Sequence, residues 1–321
     1  MIVLTGAAGF IGSNMLKKLN SENINDVIIV DNFSNEIKNR NINNKSFLDK
    51  IDRNIFFEWL LKNNKNIELI IHLGARTDTT EKNIEIFNEL NLHYSQKIWN
   101  YCVVNQVPLI YASSAATYGN GEYGYNDDHY IVDKLKPLNQ YGISKNEFDK
   151  WALQQKSTPP FWYGLKFFNV YGPNEYHKGR MASVVFHAFN QIVTTNKVKL
   201  FKSHRNDIKD GEQKRDFIYV KDVVEIIFYL MNYKKNSGIY NVGTGKARTF
   251  LDLAINTFKA INKNIEIEFI DTPEDIRANY QYYTEANIQK LLNTGYNKSF
   301  TTLEEGINDY VTKYLRYNKF N

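Results

Sequence analysis

Short runs of β-branched and apolar residues alternate with longer stretches of helical period through the first half of the chain. "IVLT" leads into a helix from about Gly12; "VIIV" at 27–30 is followed by polar turns; "ELIIHLGA" spans 68–75, "PLIYASS" 108–114 and "WYGLKFFNV" 162–170. Continuous apolar strands separated by helices predict a parallel sheet covered on both faces, the doubly wound α/β class. After Pro173 the rhythm changes. A helix is predicted from about Met181 to Thr195, then a polar stretch, then "KRDFIYVKDVVEIIFYLM" as strand and helix. The last third mixes short strands, "GIYNVG" and "IEIEFI", with helices near 249–262 and 302–316.

Composition narrows the class of function. Of 321 residues, 43% are hydrophobic and 23% charged, with a formal net charge of +5. Basic residues alternate with acidic ones instead of forming blocks, which argues against nucleic acid and for small anionic ligands. A single cysteine, Cys102, excludes a disulfide framework, and the six histidines show no metal-ligand spacing, so no metal is expected. No run approaches the about 18 apolar residues of a membrane span, and "MIVLTGAAGF" enters a strand pattern without a signal-like region. A cytoplasmic protein with no membrane partner is expected.

"TGAAGFIG" places Gly6, Gly9 and Gly12 directly after the first strand and at the start of the first helix. Glycines there permit a tight turn and let backbone N–H groups approach a pyrophosphate. Asp31, ending the second strand, completes a Rossmann-type dinucleotide fingerprint. Residues 1–168 and 214–242 are therefore assigned to a dinucleotide-binding domain. Residues 169–213 and 243–321 go mostly to a smaller, discontinuous α+β substrate lobe over the sheet's C-terminal edge. Asp31 would bond a ribose 2′-OH and favour NAD, whereas Lys38 and Arg53, with Asn32 alongside, could reach a 2′-phosphate, so spacing alone leaves NAD and NADP open.

"QYGISK" puts Tyr141 and Lys145 four apart on one helical face, where the cation would lower the tyrosine's pKa and make it a usable base. "YASSAATYG" supplies Ser114 and Thr117 at the strand end where open α/β folds bind ligands. "GAAGFIG", "SSAATYG", "YGISK" and "RDFIYVKDV", in that order, resemble the extended short-chain dehydrogenase/reductase superfamily, whose members use Ser, Tyr and Lys around NAD(P) on nucleotide sugars. "FFNVYGPNEYHKGRMASVVFH", "KLF", "KRDF" and "NYQYYTEA" resemble its ADP-L-glycero-D-manno-heptose 6-epimerase branch.

That resemblance implies Ser114, Tyr141, Lys145 and Lys178 as catalytic residues. It implies cofactor contacts from Phe10, Ile11, Asp31, Asn32, Lys38, Arg53, Leu73, Gly74, Ala75, Arg76, Thr77, Asn91, Lys145, Val170 and Lys178, beside the three glycines. It implies substrate contacts from Asn169, Arg180, His187, Phe201, Lys202, Ser203, His204, Arg215 and Tyr280, and a homo-oligomer, pentameric in that branch. The branch usually takes NADP, which tilts the expectation that way. Arg215 also has a rationale of its own, since its planar fork suits a diphosphate.

The implied reaction inverts C6 of ADP-D-glycero-D-manno-heptose and supplies heptose for a lipopolysaccharide core. A carbon bearing a hydroxyl has no acidic C–H, so inversion calls for transient oxidation to a ketone and return of the hydride to the other face. The sugar must turn between the two steps, and one tyrosine cannot reach both oxygen positions within about 2.6–3.2 Å. Lys178 is the second base this requires.

Three departures from the branch stand out. Arg180 replaces a small hydroxyl residue, the charged stretch "SHRNDIKDGEQ" at 203–213 is longer than expected, and "GARTD" replaces smaller residues beside the cofactor. A 4,6-dehydratase is disfavoured because "SAATYG" lacks an acid. A 4-epimerase or reductase of another nucleotide sugar would use Ser114, Tyr141 and Lys145 equally, and only Lys178 argues against it. A non-catalytic NAD(P)-binding regulator could dispense with the Tyr and Lys pair. "GTGK" at 243–246 is no P-loop, because Tyr240 stands where the first glycine is needed.

Overall fold

The computed structural model describes residues 1–63, 66–277 and 280–321. Among the described residues, twelve strands follow in chain order: β1 (Ile2–Thr5), β2 (Val27–Asp31), β3 (Asp49–Asp52), β4 (Leu69–His72), β5 (Leu109–Ser114), β6 (Trp162–Phe167), β7 (Asn169–Tyr171), β8 (Val198–Phe201), β9 (Lys214–Tyr219), β10 (Gly238–Val242), β11 (Ala247–Thr249) and β12 (Ile267–Ile270). Seven form one sheet in the order β10-β6-β5-β4-β1-β2-β3, every pair parallel. The doubly wound expectation holds, with the order reversing between β1 and β4. Ligands bind such sheets in the crevice beyond the strand ends at that reversal.

Strand residues alternate between two buried layers. Leu4, Ile29 and Ile71 face the first helix (Phe10–Ser21) and the helix Val220–Tyr233, burying Leu16, Leu19, Ile226 and Leu230. Val3, Ile28 and Ile70 face the opposite side, where Phe56, Trp99 and Phe148 belong to the helices Phe56–Lys62, Tyr94–Val104 and Gln140–Gln154. Strands buried on both faces explain the unbroken apolar runs in the sequence.

A second lobe is built on β7, β9 and β11, the parallel pair β8 and β12, and the helices Val184–Thr195, Phe250–Ala260 and Leu303–Lys313. Val185, Ile192, Phe258, Ile307 and Tyr310 form its core.

The structure departs from the sequence reading in five places. "DKID" at 49–52 is an edge strand where only turns are expected, so "PLIYASS" is the fifth strand and not the fourth. "WYGLKFFNV" is two strands in two different sheets, broken at Phe168. The first helix begins at Phe10, and the helix expected from Met181 begins at Val184, after its Ser183 cap. Within 214–242, β9 lies in the three-stranded sheet, whereas the following helix and β10 belong to the large one.

Candidate active site

A cavity of about 850 Å³ opens beyond the C-terminal ends of β1, β2, β4 and β5. Its floor is the glycine turn. Gly6 has φ +69°, and a side chain on it would lie 2.6 Å from the Gly74 nitrogen; a Cβ on Gly12 would lie 2.1 Å from the Gly6 carbonyl. Gly9 caps the first helix without any side-chain hydrogen bond, so the helix N-terminus faces the cavity with its N–H groups uncovered by side chains. A dinucleotide pyrophosphate fits this cradle.

Asp31 lines the cavity where β2 ends. Its carboxylate accepts hydrogen bonds from the Ala8 N–H (2.9 Å) and the Asn32 N–H (2.7 Å), and the Lys38 ammonium pairs with it directly. Arg53 donates its backbone N–H to the Asp31 carbonyl at 2.9 Å, lines the cavity, and has a buried Nε without a hydrogen-bond partner among the described residues. Lys38 and Arg53 thus bring two cationic side chains to the cavity wall where β2 ends.

Ser114 and Tyr141 line the inner end of the cavity. Ser114 ends β5, where its Oγ accepts the Ala116 N–H at 3.1 Å. Tyr141 lies in the first turn of its helix, which starts at Gln140 behind the Asn139 cap that accepts the Gly142 N–H at 2.8 Å. Burial raises the Tyr141 phenol's pKa, and a hydrogen bond with Ser114 works in the opposite sense. Lys145, one turn on, is buried and donates to the Ala112 carbonyl at 2.8 Å. Burial lowers its pKa to about 8, against the pull of Asp149.

On the buried face of this helix Asp149, fully buried, accepts from Lys166 Nζ (2.6 Å), Ser113 Oγ (2.6 Å) and Tyr111 OH (3.1 Å). Lys166 also donates to Thr117 Oγ1 at 2.7 Å. The network ties the helix bearing Tyr141 to β5 and β6, and nothing in the charge pattern distinguishes its members from surface residues.

Lys178 enters from the second lobe on the short helical segment Tyr176–Met181. Its ammonium stands 4.9 Å from the centre of the Phe10 ring, and it lines the same cavity as Tyr141. Burial lowers its pKa, and the carboxylate of Glu175 acts in the opposite sense.

Of the residues named from sequence, Gly6, Gly9, Phe10, Ile11, Gly12, Asp31, Asn32, Lys38, Arg53, Leu73, Gly74, Ala75, Arg76, Thr77, Ser114, Tyr141, Val170 and Lys178 line this cavity. Asn91 lies behind it, in a π-helical stretch (Asn88–His93), holding the Arg76 backbone at both ends (2.8 and 2.9 Å) and Ser144 Oγ at 3.0 Å. The "GARTD" departure leaves Arg76 paired with Asp78 (3.2 Å) and Glu81 (3.5 Å) at the cavity's edge.

The expected substrate residues lie apart from the cavity lining. Asn169 is exposed on β7, Arg180 is exposed beyond Gly179, and His187 is half-buried in the first turn of its helix. Arg215 is buried between the Phe250 and Tyr280 rings (5.5 and 5.6 Å) and donates to the carbonyls of Lys214 (2.9 Å) and Gln281. Phe201 meets Tyr280 edge-on at 6.0 Å. Lys202 pairs with Asp271 at 3.4 Å, Ser203 donates its N–H to Asp210 at 2.7 Å, and the His204 N–H donates to Tyr282 OH at 3.0 Å. Gln281 also bonds the Gly119 carbonyl, joining this cluster to the tip after β5.

Sequence reasoning missed Thr5, Tyr94, Phe168, His177 and Met181, all of which line the cavity. His177 adjoins Lys178 and was legible from that alone. Burial lowers its pKa to about 4, and its Nδ1 contacts Asn41 Nδ2 at 3.2 Å.

A seven-stranded parallel sheet with a glycine cradle at its switch point, and with Ser114 and Tyr141 in the same cavity, is the architecture of a dinucleotide-dependent enzyme. Residues 2–243 match the family model described as the NAD dependent epimerase/dehydratase family, and the chain belongs to that family. Within it, the chain is 51% identical over 325 residues to the ADP-L-glycero-D-manno-heptose-6-epimerase of Fusobacterium nucleatum, covering 98% of both chains. The crystal structure of the Helicobacter pylori enzyme of the same name superposes with a TM-score of 0.81 at 28% identity, covering 97% of this chain and 95% of the other. A Thermus thermophilus UDP-glucose 4-epimerase complex with NAD shares the fold, with a TM-score of 0.76 at 24% identity over 97% of both chains. Among the described residues no helix is long and apolar enough to cross a membrane.

Proposed function

We propose that this chain is an isomerase that converts ADP-D-glycero-D-manno-heptose to ADP-L-glycero-D-manno-heptose, using NADP in preference to NAD. The observation that carries the reading is that Tyr141 and Lys178, from different lobes, line one cavity. A one-base reductase or a regulator has no use for the second.

Bound NAD(P) supplies a reversible hydride acceptor. Gly6, Gly9 and Gly12 would hold its pyrophosphate, and Lys38 with Arg53 the 2′-phosphate. The protein's task is to move protons and to let the sugar turn. One of the two bases removes the C6 hydroxyl proton as the hydrogen on C6 departs as a hydride, which C6 regains on its opposite face after the turn. The ketone then reorients, and the other base returns a proton to the oxygen on the opposite side. Ser114 and Lys145 stabilise the tyrosinate when Tyr141 is deprotonated. Arg215, with the Phe201 and Tyr280 rings, is suited to the nucleotide and its diphosphate.

A cytoplasmic homo-oligomer, pentameric by family resemblance, is part of the same proposal, with the product feeding lipopolysaccharide core synthesis. Incubation of the purified protein with ADP-D-glycero-D-manno-heptose, followed by NMR at C6, tests it. Turnover of a UDP- or GDP-hexose without heptose conversion would replace the substrate and leave the fold standing.

A further inference from the structure

Lys178 is carried on a loop whose two ends are fastened together. Glu175, fully buried, accepts the Ser183 N–H at 2.6 Å and the Ser183 hydroxyl at 2.5 Å, and its own carbonyl accepts the Lys178 N–H at 3.0 Å. Ser183 is also the cap of the helix Val184–Thr195, its Oγ accepting the Phe186 N–H at 3.3 Å. The loop's one departure from helical backbone is Gly179, at φ +51°. The clamp therefore spans the lysine and its hinge, and it joins them to a helix packed in the second lobe's core.

We propose that Glu175 is the positioning partner of Lys178: its clamped carboxylate fixes the loop and presents a buried negative charge that lets the lysine hold its proton inside the cavity. The inference rests on the reading of Lys178 as the second base and extends it. The lysine must carry a proton at one stage of each turnover and lack it at another. Burial works against the charged form, because an ammonium loses its hydration there. The other groups beside it supply no negative charge: Phe10 contributes a ring face, and His177, whose pKa burial lowers to about 4, is neutral near pH 7. Glu175 is the acid whose charge reaches Lys178, and burial and the amine act on the carboxyl in opposite directions. The pair mirrors Tyr141 and Lys145, with the charges reversed.

The test is direct titration of the amine. Protein labelled with 13C,15N-lysine gives an Nζ resonance for Lys178, assigned by its absence in Lys178→Met. In Glu175→Gln the midpoint of that resonance should fall by about one pH unit, the size expected on removing a nearby opposite charge. The kcat for epimerisation should fall at least tenfold with KM little changed. An unchanged midpoint in a folded Glu175→Gln protein overturns the proposal and leaves Glu175 a structural clamp. Should that variant fail to fold, Ser183→Ala keeps the carboxylate but weakens its ionised form, and the midpoint should fall by a smaller amount; no movement there overturns the proposal equally. Wild-type epimerisation by Lys178→Met would instead remove the lysine from the mechanism, and the proposal with it, whatever the titration shows.

Discussion

The ammonium of Lys38 rests on the carboxylate of Asp31, at the position where an acidic residue ends β2. An unpaired acid there would repel a 2′-phosphate. The lysine pairs with it, and on the proposed reading Lys38 and Arg53 together would favour a 2′-phosphate. Lys38→Ala should weaken NADP binding by about 10- to 100-fold, the worth of one charge-assisted hydrogen bond, and change NAD affinity far less. Fluorescence titration with both cofactors measures this. Equal loss for the two would place Lys38 outside cofactor selection.

Tyr141→Phe and Lys178→Met should each slow epimerisation by about 10²- to 10⁴-fold, the usual contribution of a positioned acid or base, while cofactor affinity stays within about threefold for the tyrosine variant. Steady-state rates with the heptose substrate and cofactor titration on the same preparations decide it.

Lys145 should give the activity a pH dependence. Its pKa is pushed down to about 8 from an ordinary value of 10.5, so the cation beside Tyr141 is present below about pH 8 and lost above it. The profile of kcat/KM should therefore fall on the alkaline side with a midpoint near 8. Lys145→Met should remove that limb while lowering the whole curve.

Gly12→Ala should abolish dinucleotide binding. The added methyl would lie 2.1 Å from the Gly6 carbonyl, far inside contact distance, and the first helix would have to move off the turn that holds the pyrophosphate. Loss of cofactor affinity with far-UV circular dichroism retained is the expected result.

Asp149→Asn strips the partner from a buried lysine. A broken buried pair costs about 3–5 kcal/mol because the remaining charge stays desolvated, so urea unfolding should show a loss of that order. Asp149→Leu with Lys166→Met removes both charges and should recover most of it.

Sequence made the sheet legible wherever strands are buried on both faces, because such strands are uninterrupted apolar runs. It did not reveal β3, which buries only Ile51 of its four residues and looks like a turn. Periodicity likewise cannot register a change of sheet within one apolar run, and so the break at Phe168 was invisible. The glycine turn and the Tyr141 and Lys145 spacing are local patterns and could be read from the chain. The Asp149 and Lys166 pair joins residues 17 apart across a helix and a strand, and Glu175 meets Ser183 only because Gly179 turns the chain back.

Phe168 alone separates β6 from β7, and its N–H is fixed to the Val242 carbonyl at 3.0 Å. The two lobes are thus welded through a joint one residue long, at the wall of the cavity itself. So short a joint leaves little chain to hinge there, and on the proposed reading Tyr141 and Lys178 stand as fixed posts. The freedom that stereochemical inversion needs is left to the sugar, turning in a frame that stays still.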